Sequence, residues 1–270
     1  MRRLAISAIF IVVGVYLGSM VLIMLLQRRL IYYPSREILA TPDRQGLAYE
    51  EVALRTSDGV TLAGWYVPAA EAKGTTLFCH GNGGNISYWI EHTRRLHDLG
   101  LSVLLFDYRG YGRSEGKPTE EGTYQDAEAA WRYLVEERRV PPDEIIIHGQ
   151  SLGGAVASWL AEKHTPRALI LESTFTSVPD RAGEMLPLVP MRLIMRIRYD
   201  TLERIGRIRC PILIIHSRDD RLLPISHGRR LLEAAPEPKA FLEIHGSHNN
   251  GVAESQELFE QGIKAFLSPL

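Results

Sequence analysis

Three patterns of apolar and polar positions divide the chain. The first is unbroken: residues 4–26 are 23 positions without a charge, bracketed by Arg2-Arg3 and Arg28-Arg29. At about 1.5 Å per residue a helix of that length covers roughly 34 Å, enough for a hydrocarbon core of about 30 Å. A cleaved signal peptide is the competing reading, but its apolar region is shorter, about 7–15 residues, and ends in a small-residue cleavage site. Here Met20-Val-Leu-Ile-Met-Leu-Leu26 runs straight into Gln27-Arg28-Arg29. The pattern predicts an uncleaved, single-pass N-terminal transmembrane helix. A linker, residues 27–48, follows with Pro34 and Pro42 as breakers.

The second pattern has a period of two. Residues 49–55 and 60–67 alternate and are joined by Thr56-Ser57-Asp58-Gly59, a hairpin signal. The third alternates short apolar runs with longer helical ones. Strands are predicted at 75–79, 101–106, from Ile145, at 168–171, 211–215 and 239–244. Helices are predicted at 86–99, 119–139, from Leu152, at 225–234 and 253–267. That rhythm means a mostly parallel sheet with helices on its faces, eight strands in all, filling residues 49–270. Residues 175–208 interrupt it. Their Met185-Leu-Pro-Leu-Val-Pro-Met-Arg-Leu-Ile-Met195 stretch reads either as a core helix or as an apolar, adaptable cap that contacts acyl chains or a membrane surface.

Composition narrows the partners. With 31 basic against 32 acidic residues and no Lys/Arg block, nothing points to nucleic acid. Cys79 and Cys210 each border a predicted buried strand and read as free core thiols. Both flanks of the anchor are basic. The free amine, Arg2 and Arg3 crowd the short N-terminal side, which favours an N-terminus kept inside and a hydrolase domain on the non-cytoplasmic side.

The chemistry centres on Ile145-Ile-Ile-His-Gly-Gln-Ser-Leu-Gly-Gly154, an apolar strand that turns into a helix of small residues. Gly149-x-Ser151-x-Gly153 has nucleophile-elbow spacing, which exposes a serine hydroxyl on a tight strand-to-helix turn. The helix that follows aims its free N–H groups where an oxyanion would form. The bland alternative is a Gly-rich turn between two core elements. The His80-Gly-Asn-Gly-Gly84 loop is no phosphate cradle, since it has no Gly-Lys-Ser/Thr and Ile86 stands where a third glycine is needed. His92 and His97, five apart on a predicted helix, make a poor metal pair.

Four stretches in order carry a resemblance: Phe78-Cys-His-Gly-Asn-Gly-Gly-Asn85, Asp107-Tyr-Arg-Gly-Tyr-Gly-Arg-Ser-Glu-Gly116, the elbow, and Gly246-Ser-His248. The chain resembles the α/β-hydrolase superfamily, and within it the membrane-anchored Bem46-like serine hydrolases. The resemblance covers essentially everything from residue 30 onward. It implies the chain order nucleophile, acid, histidine. Ser151 is then the nucleophile and His248, in the loop after the last strand, the base. His245 reads as structural and His227 as a solvated helix opener. Asp220 is the acid, because it has Pro224 four residues beyond as relatives do; Asp219 lacks that match. Ser217 departs from the glycine common there. Glu172 is a remote alternative acid, more plainly a cap for the Ser173-Thr174 turn, and Asp107 reads as a cap for the 109–116 loop. Leu152, immediately after the nucleophile, supplies one oxyanion-hole N–H; the resemblance implies Asn82 as the other, with Gly83 beside it at the substrate, and the apolar-cap reading puts Met185 in contact with the substrate.

These residues predict a hydrolase of carboxylic esters or thioesters acting through an acyl-enzyme, on a small-molecule or lipid ester, with no metal or organic cofactor implied. A peptidase of the same fold is the nearest alternative, and a non-catalytic membrane scaffold the distant one. Dehalogenase or epoxide-hydrolase chemistry would place Asp at position 151.

Overall fold

The apolar runs pair into one eight-stranded sheet in the computed structural model, which describes residues 2–270. Its strands are β1 (Glu50–Arg55), β2 (Thr61–Val67), β3 (Thr75–Cys79), β4 (Ser102–Phe106), β5 (Ile145–Gln150), β6 (Ala168–Glu172), β7 (Ile212–Ser217) and β8 (Lys239–Ile244). Across the sheet they lie in the order β1-β2-β4-β3-β5-β6-β7-β8. Strand β2 runs antiparallel to β1 and β4, and every other pair is parallel. The residues of β3 to β7 are buried throughout. Strands covered on both faces need continuous apolar runs rather than alternation, and these have them.

The helices are α1 (Arg2–Ile31), α2 (Ile90–Asp98), α3 (Glu120–Arg132), α4 (Leu152–Lys163), α5 (Val178–Met185), α6 (Met191–Ile194), α7 (Thr201–Ile205), α8 (Ser226–Ala234), α9 (Gly251–Glu254) and α10 (Gln256–Leu267). Residues of α3, α4 and α8 build the core on one face of the sheet. Those of α2 and α10 build the core on the other. Two predicted helices are interrupted. The 119–139 stretch widens into a π-helical turn over Tyr133–Glu137. The 253–267 stretch breaks at Ser255, whose hydroxyl donates to His245 O at 2.9 Å and accepts from His245 N at 3.0 Å. A side chain that competes for backbone groups in this way favours a break.

The largest departure is at the N-terminus. The helix does not stop at Leu26 but runs to Ile31, and the stretch read as a linker is docked. Tyr33–Pro34 adds a two-residue parallel strand to Gly83–Gly84, with Tyr33 N donating to Asn82 O at 3.0 Å and Ser35 N to Gly84 O at 2.8 Å. Both donors sit either side of Pro34, so the proline has no needed N–H to lose. Gln27, buried, accepts from Arg196 N at 2.7 Å and Ile197 N at 3.1 Å. Tyr32 and Thr123 both hydrogen-bond the buried Tyr199 hydroxyl, at 2.9 and 2.8 Å. The breakers are real, but they shape a docked segment rather than a free one.

Candidate active site

Every element of the site sits at the carboxyl end of a parallel strand, where open α/β sheets bind ligands. Ser151 follows β5 with φ 53° and ψ −119°, a left-handed backbone that side chains rarely adopt. Two glycines make this turn sterically possible. A Cβ on Gly153 would lie 1.9 Å from Cys79 O, and one on Gly149 would lie 2.3 Å from Gly153 O. The turn is also pinned by its neighbours: Ser151 N donates to Glu172 O at 2.9 Å, and the Thr174 hydroxyl donates to Ser151 O at 2.7 Å.

Ser151, His248 and Asp220 come together from the ends of β5, β8 and β7. The Ser151 hydroxyl lies 3.1 Å from His248 Nε2, and His248 Nδ1 donates to Asp220 Oδ2 at 2.6 Å. The other Asp220 oxygen accepts from Leu222 N and Leu223 N at 2.9 and 2.8 Å. Burial pushes the Asp220 pKa up, but the hydrogen bond and charge of His248, with the Leu223 N–H, outweigh it and hold the carboxyl below its usual range. Asp219 is exposed and instead accepts from Gly246 N at 3.1 Å, bracing the His248 loop.

The N–H of Leu152, first in α4, and that of Asn82 donate to no protein acceptor among the described residues. Asn82 is clamped from three sides. Its carbonyl accepts from Tyr33 N and from the Tyr111 hydroxyl at 2.8 Å, and its side chain donates to Ile31 O at 2.7 Å. The end of α1 therefore holds this loop, a link that no local motif announces. Ser151, Asn82, Gly83 and His248 line a cleft of about 640 Å³, with Tyr33, Tyr88 and Leu222 among its other walls.

Several sequence readings need correction. Met185 does not line this cleft; it ends α5 with 61 % of its surface exposed, in a stretch that lies alongside α1. Glu172 neither caps the Ser173-Thr174 turn nor reaches His248 with a hydrogen bond. His148 Nε2 donates to its Oε2 at 3.0 Å, and His92 Nε2 stands 3.4 Å from the same oxygen. Burial would raise the Glu172 pKa, but the two histidines hold it below the usual carboxylate range, while burial pushes His92 down to about 4. His92, His148 and Glu172 offer donor atoms within 4.8 Å of one another and are the group among the described residues that could hold a metal ion. The poor His92–His97 pair expected from the helix spacing gave no hint of this group, since α2, β5 and β6 meet only in the fold.

His227 is buried rather than solvated, tying Thr176 at 3.0 Å to Glu184 at 3.0 Å. The Asp107 carboxylate accepts from Ile86 N at 2.9 Å rather than from the 109–116 loop; Asp126 anchors that loop through Arg109 N and Nε, both at 2.8 Å. Cys79 and Cys210 are free and buried, as read.

The family model that matches the chain is that of the alpha/beta hydrolase fold, over residues 75–195. An uncharacterized protein of Mycobacterium tuberculosis is 38 % identical over 99 % of this chain and 96 % of its own. The bem46 protein of Schizosaccharomyces pombe is 35 % identical over 73 % of this chain and 71 % of its own. Among solved structures, an esterase of Pyrococcus furiosus superposes with a TM-score of 0.74 at 21 % identity, covering 88 % of this chain and 98 % of that one. Strand order, elbow and sequence likeness agree: this chain belongs to the α/β-hydrolase superfamily, among the Bem46-like proteins.

Proposed function

We propose that the chain is a membrane-anchored serine hydrolase that cleaves carboxylic esters or thioesters through an acyl-enzyme. The observation that carries this reading is the unbroken relay Ser151–His248–Asp220, with hydrogen bonds of 3.1 and 2.6 Å. Ser151 Oγ attacks the acyl carbonyl while His248 Nε2 takes its proton, and Asp220 stabilises the resulting imidazolium. The carbonyl oxygen, now an anion, accepts from Leu152 N and Asn82 N, two donors without a protein acceptor among the described residues. The intermediate collapses, the bond to the leaving alkoxide or thiolate breaks, and His248 returns the proton to it. Water, deprotonated by His248, then attacks the acyl-serine; Ser151 leaves and recovers its proton.

The anchor reading rests on α1, uncharged over residues 4–26 and exposed along most of its length. Its Arg2-Arg3 flank favours a cytoplasmic amino terminus and a hydrolase domain across the membrane. A fluorophosphonate probe incubated with the full chain in detergent tests the chemistry. One covalent adduct on the Ser151 peptide is the expected result. No adduct, or an adduct on another residue, contradicts the assignment.

A further inference from the structure

The cap places its most apolar surface outside, where water would have to cover it. Leu188 is 85 % and Leu193 84 % exposed, with Met185 and Leu186 exposed beside them. Scattered exposed leucines need no explanation, but a run of them in a segment whose one charge, Arg192, is paired does. The segment between α5 and α6 is Leu186-Pro-Leu-Val-Pro190, and most of its backbone N–H groups are either absent or bonded within the cap, that of Leu188 excepted. Positions 187 and 190 are prolines with no N–H. Leu186 N donates to Ala182 O at 2.9 Å, Val189 N to Leu186 O at 3.0 Å and Met191 N to Val189 O at 2.8 Å. The one arginine of α6, Arg192, is 70 % exposed but has its charge paired with Asp180 at 2.6 Å. A surface loop in water has no need of such economy; a loop in hydrocarbon does.

The anchor helix fixes how deep this loop would sit. Tyr16 of α1 donates its hydroxyl to Leu188 O, and Gln27, one face along, ties the helix to Arg196 and Ile197. Tyr16 lies next to the midpoint of the uncharged run 4–26, ten residues before Leu26. Ten helical residues rise about 15 Å, half of a hydrocarbon core of about 30 Å. If α1 spans the bilayer, the Leu188 carbonyl is at the depth of one whole leaflet, and the acceptor that water can no longer serve is met by the anchor's own tyrosine.

We propose that residues 185–193 of the cap form a wedge inserted into the acyl-chain region of the leaflet on the hydrolase side. The proposal rests on the anchor reading above. Tyr33, two residues past the end of α1, lines the Ser151 cleft, so the wedge holds the cleft mouth at headgroup level. The substrate class that fits is a bilayer-resident acyl ester or thioester whose reacting bond lies at the interface while its chain stays in the leaflet.

The test uses the full chain in phospholipid vesicles, with an environment-sensitive fluorophore on Leu188→Cys, on Val12→Cys within the anchor, and on Glu71→Cys as an aqueous reference. Unsubstituted protein, whose two cysteines are buried, gives the background. Lipids bearing nitroxides at shallow and deep acyl positions are the quenchers. Expected is quenching at positions 12 and 188, deeper nitroxides acting more strongly on 188, and none at 71. Quenching at 12 with position 188 open to an aqueous quencher overturns the wedge and leaves the anchor standing. Absence of quenching at 12 overturns the anchor, and the wedge with it. A paired Leu188→Asp, Leu193→Asp variant should lose tenfold or more of its activity on a long-chain ester presented in vesicles while keeping its activity on a short soluble ester. Equal loss on both, or none on the vesicle substrate, also contradicts the wedge.

Discussion

Ser151 holds a backbone conformation that costs on the order of 1–3 kcal/mol, and it is retained because two glycines and the Glu172 and Thr174 hydrogen bonds leave it no alternative. Such strain beneath a hydroxyl that lines the cleft fits the nucleophile proposed above. The acid is marked by its contacts. Asp220 alone among the neighbouring carboxylates bonds His248 Nδ1, so Asp220→Asn should set the imidazole in the wrong tautomer and lower kcat by about 10⁴-fold. Asp219→Asn should lower it only mildly, through the looser Gly246 brace, and Glu172→Gln should act mainly on stability. Steady-state kinetics on a short ester rank the three; a larger loss in Glu172→Gln than in Asp220→Asn contradicts the assignment. Ser151, Asp220 and His248 were legible in the sequence because each sits in a short local motif with fixed spacing. His92, His148 and Glu172 were not, because their proximity is made by the packing of α2 against β5 and β6.

At the scale of elements, the loop after β3 depends on a segment 50 residues earlier. Asn82 keeps its backbone N–H after truncation to alanine but loses its hold on Ile31 O. Asn82→Ala should therefore lower kcat by about 10- to 100-fold, less than the 10²–10³ typical of deleting an oxyanion donor, with KM little changed. An unaltered kcat would mean that the end of α1 does not position the loop. The end of β4 supplies a second prediction. Burial raises the Asp107 carboxyl to about 7, against the pull of the Ile86 N–H and Arg36, while burial lowers the adjacent His80 to about 4 and keeps it neutral. A folded pKa above the unfolded one means that the stability from this group is complete below about pH 4 and is lost as pH rises through about 7. Asp107→Asn should remove that loss. Denaturant midpoints at pH 5 and pH 8 should then differ less in the variant than in the unsubstituted chain, and parallel behaviour would contradict the account.

For the whole molecule, the alternation of apolar runs and helical stretches made the eight strands and their mostly parallel sense readable, since a strand covered on both faces must be apolar throughout. The strand order and the docking of residues 31–35 were not readable, because pairing partners in a parallel sheet are distant in sequence and carry no local signal. The cap showed the same split. Its apolar character was plain, but Met185 faces the outside of the molecule rather than the substrate, because side-chain character does not say which surface receives it. The N-terminal helix, the docked segment, the His80–Gly84 loop and the Ser151–His248–Asp220 relay form one connected structure.

The account stands on Ser151 as the nucleophile. The most direct measurement is kcat for a short p-nitrophenyl ester with Ser151→Ala beside the unsubstituted full chain, together with the thermal midpoint of each. The predicted result is a loss of at least about 10³-fold in kcat with an equal or slightly higher midpoint, since the variant removes only one cleft-lining hydroxyl at a strained position. An alanine variant that turns over at the original rate with its fold intact would contradict it.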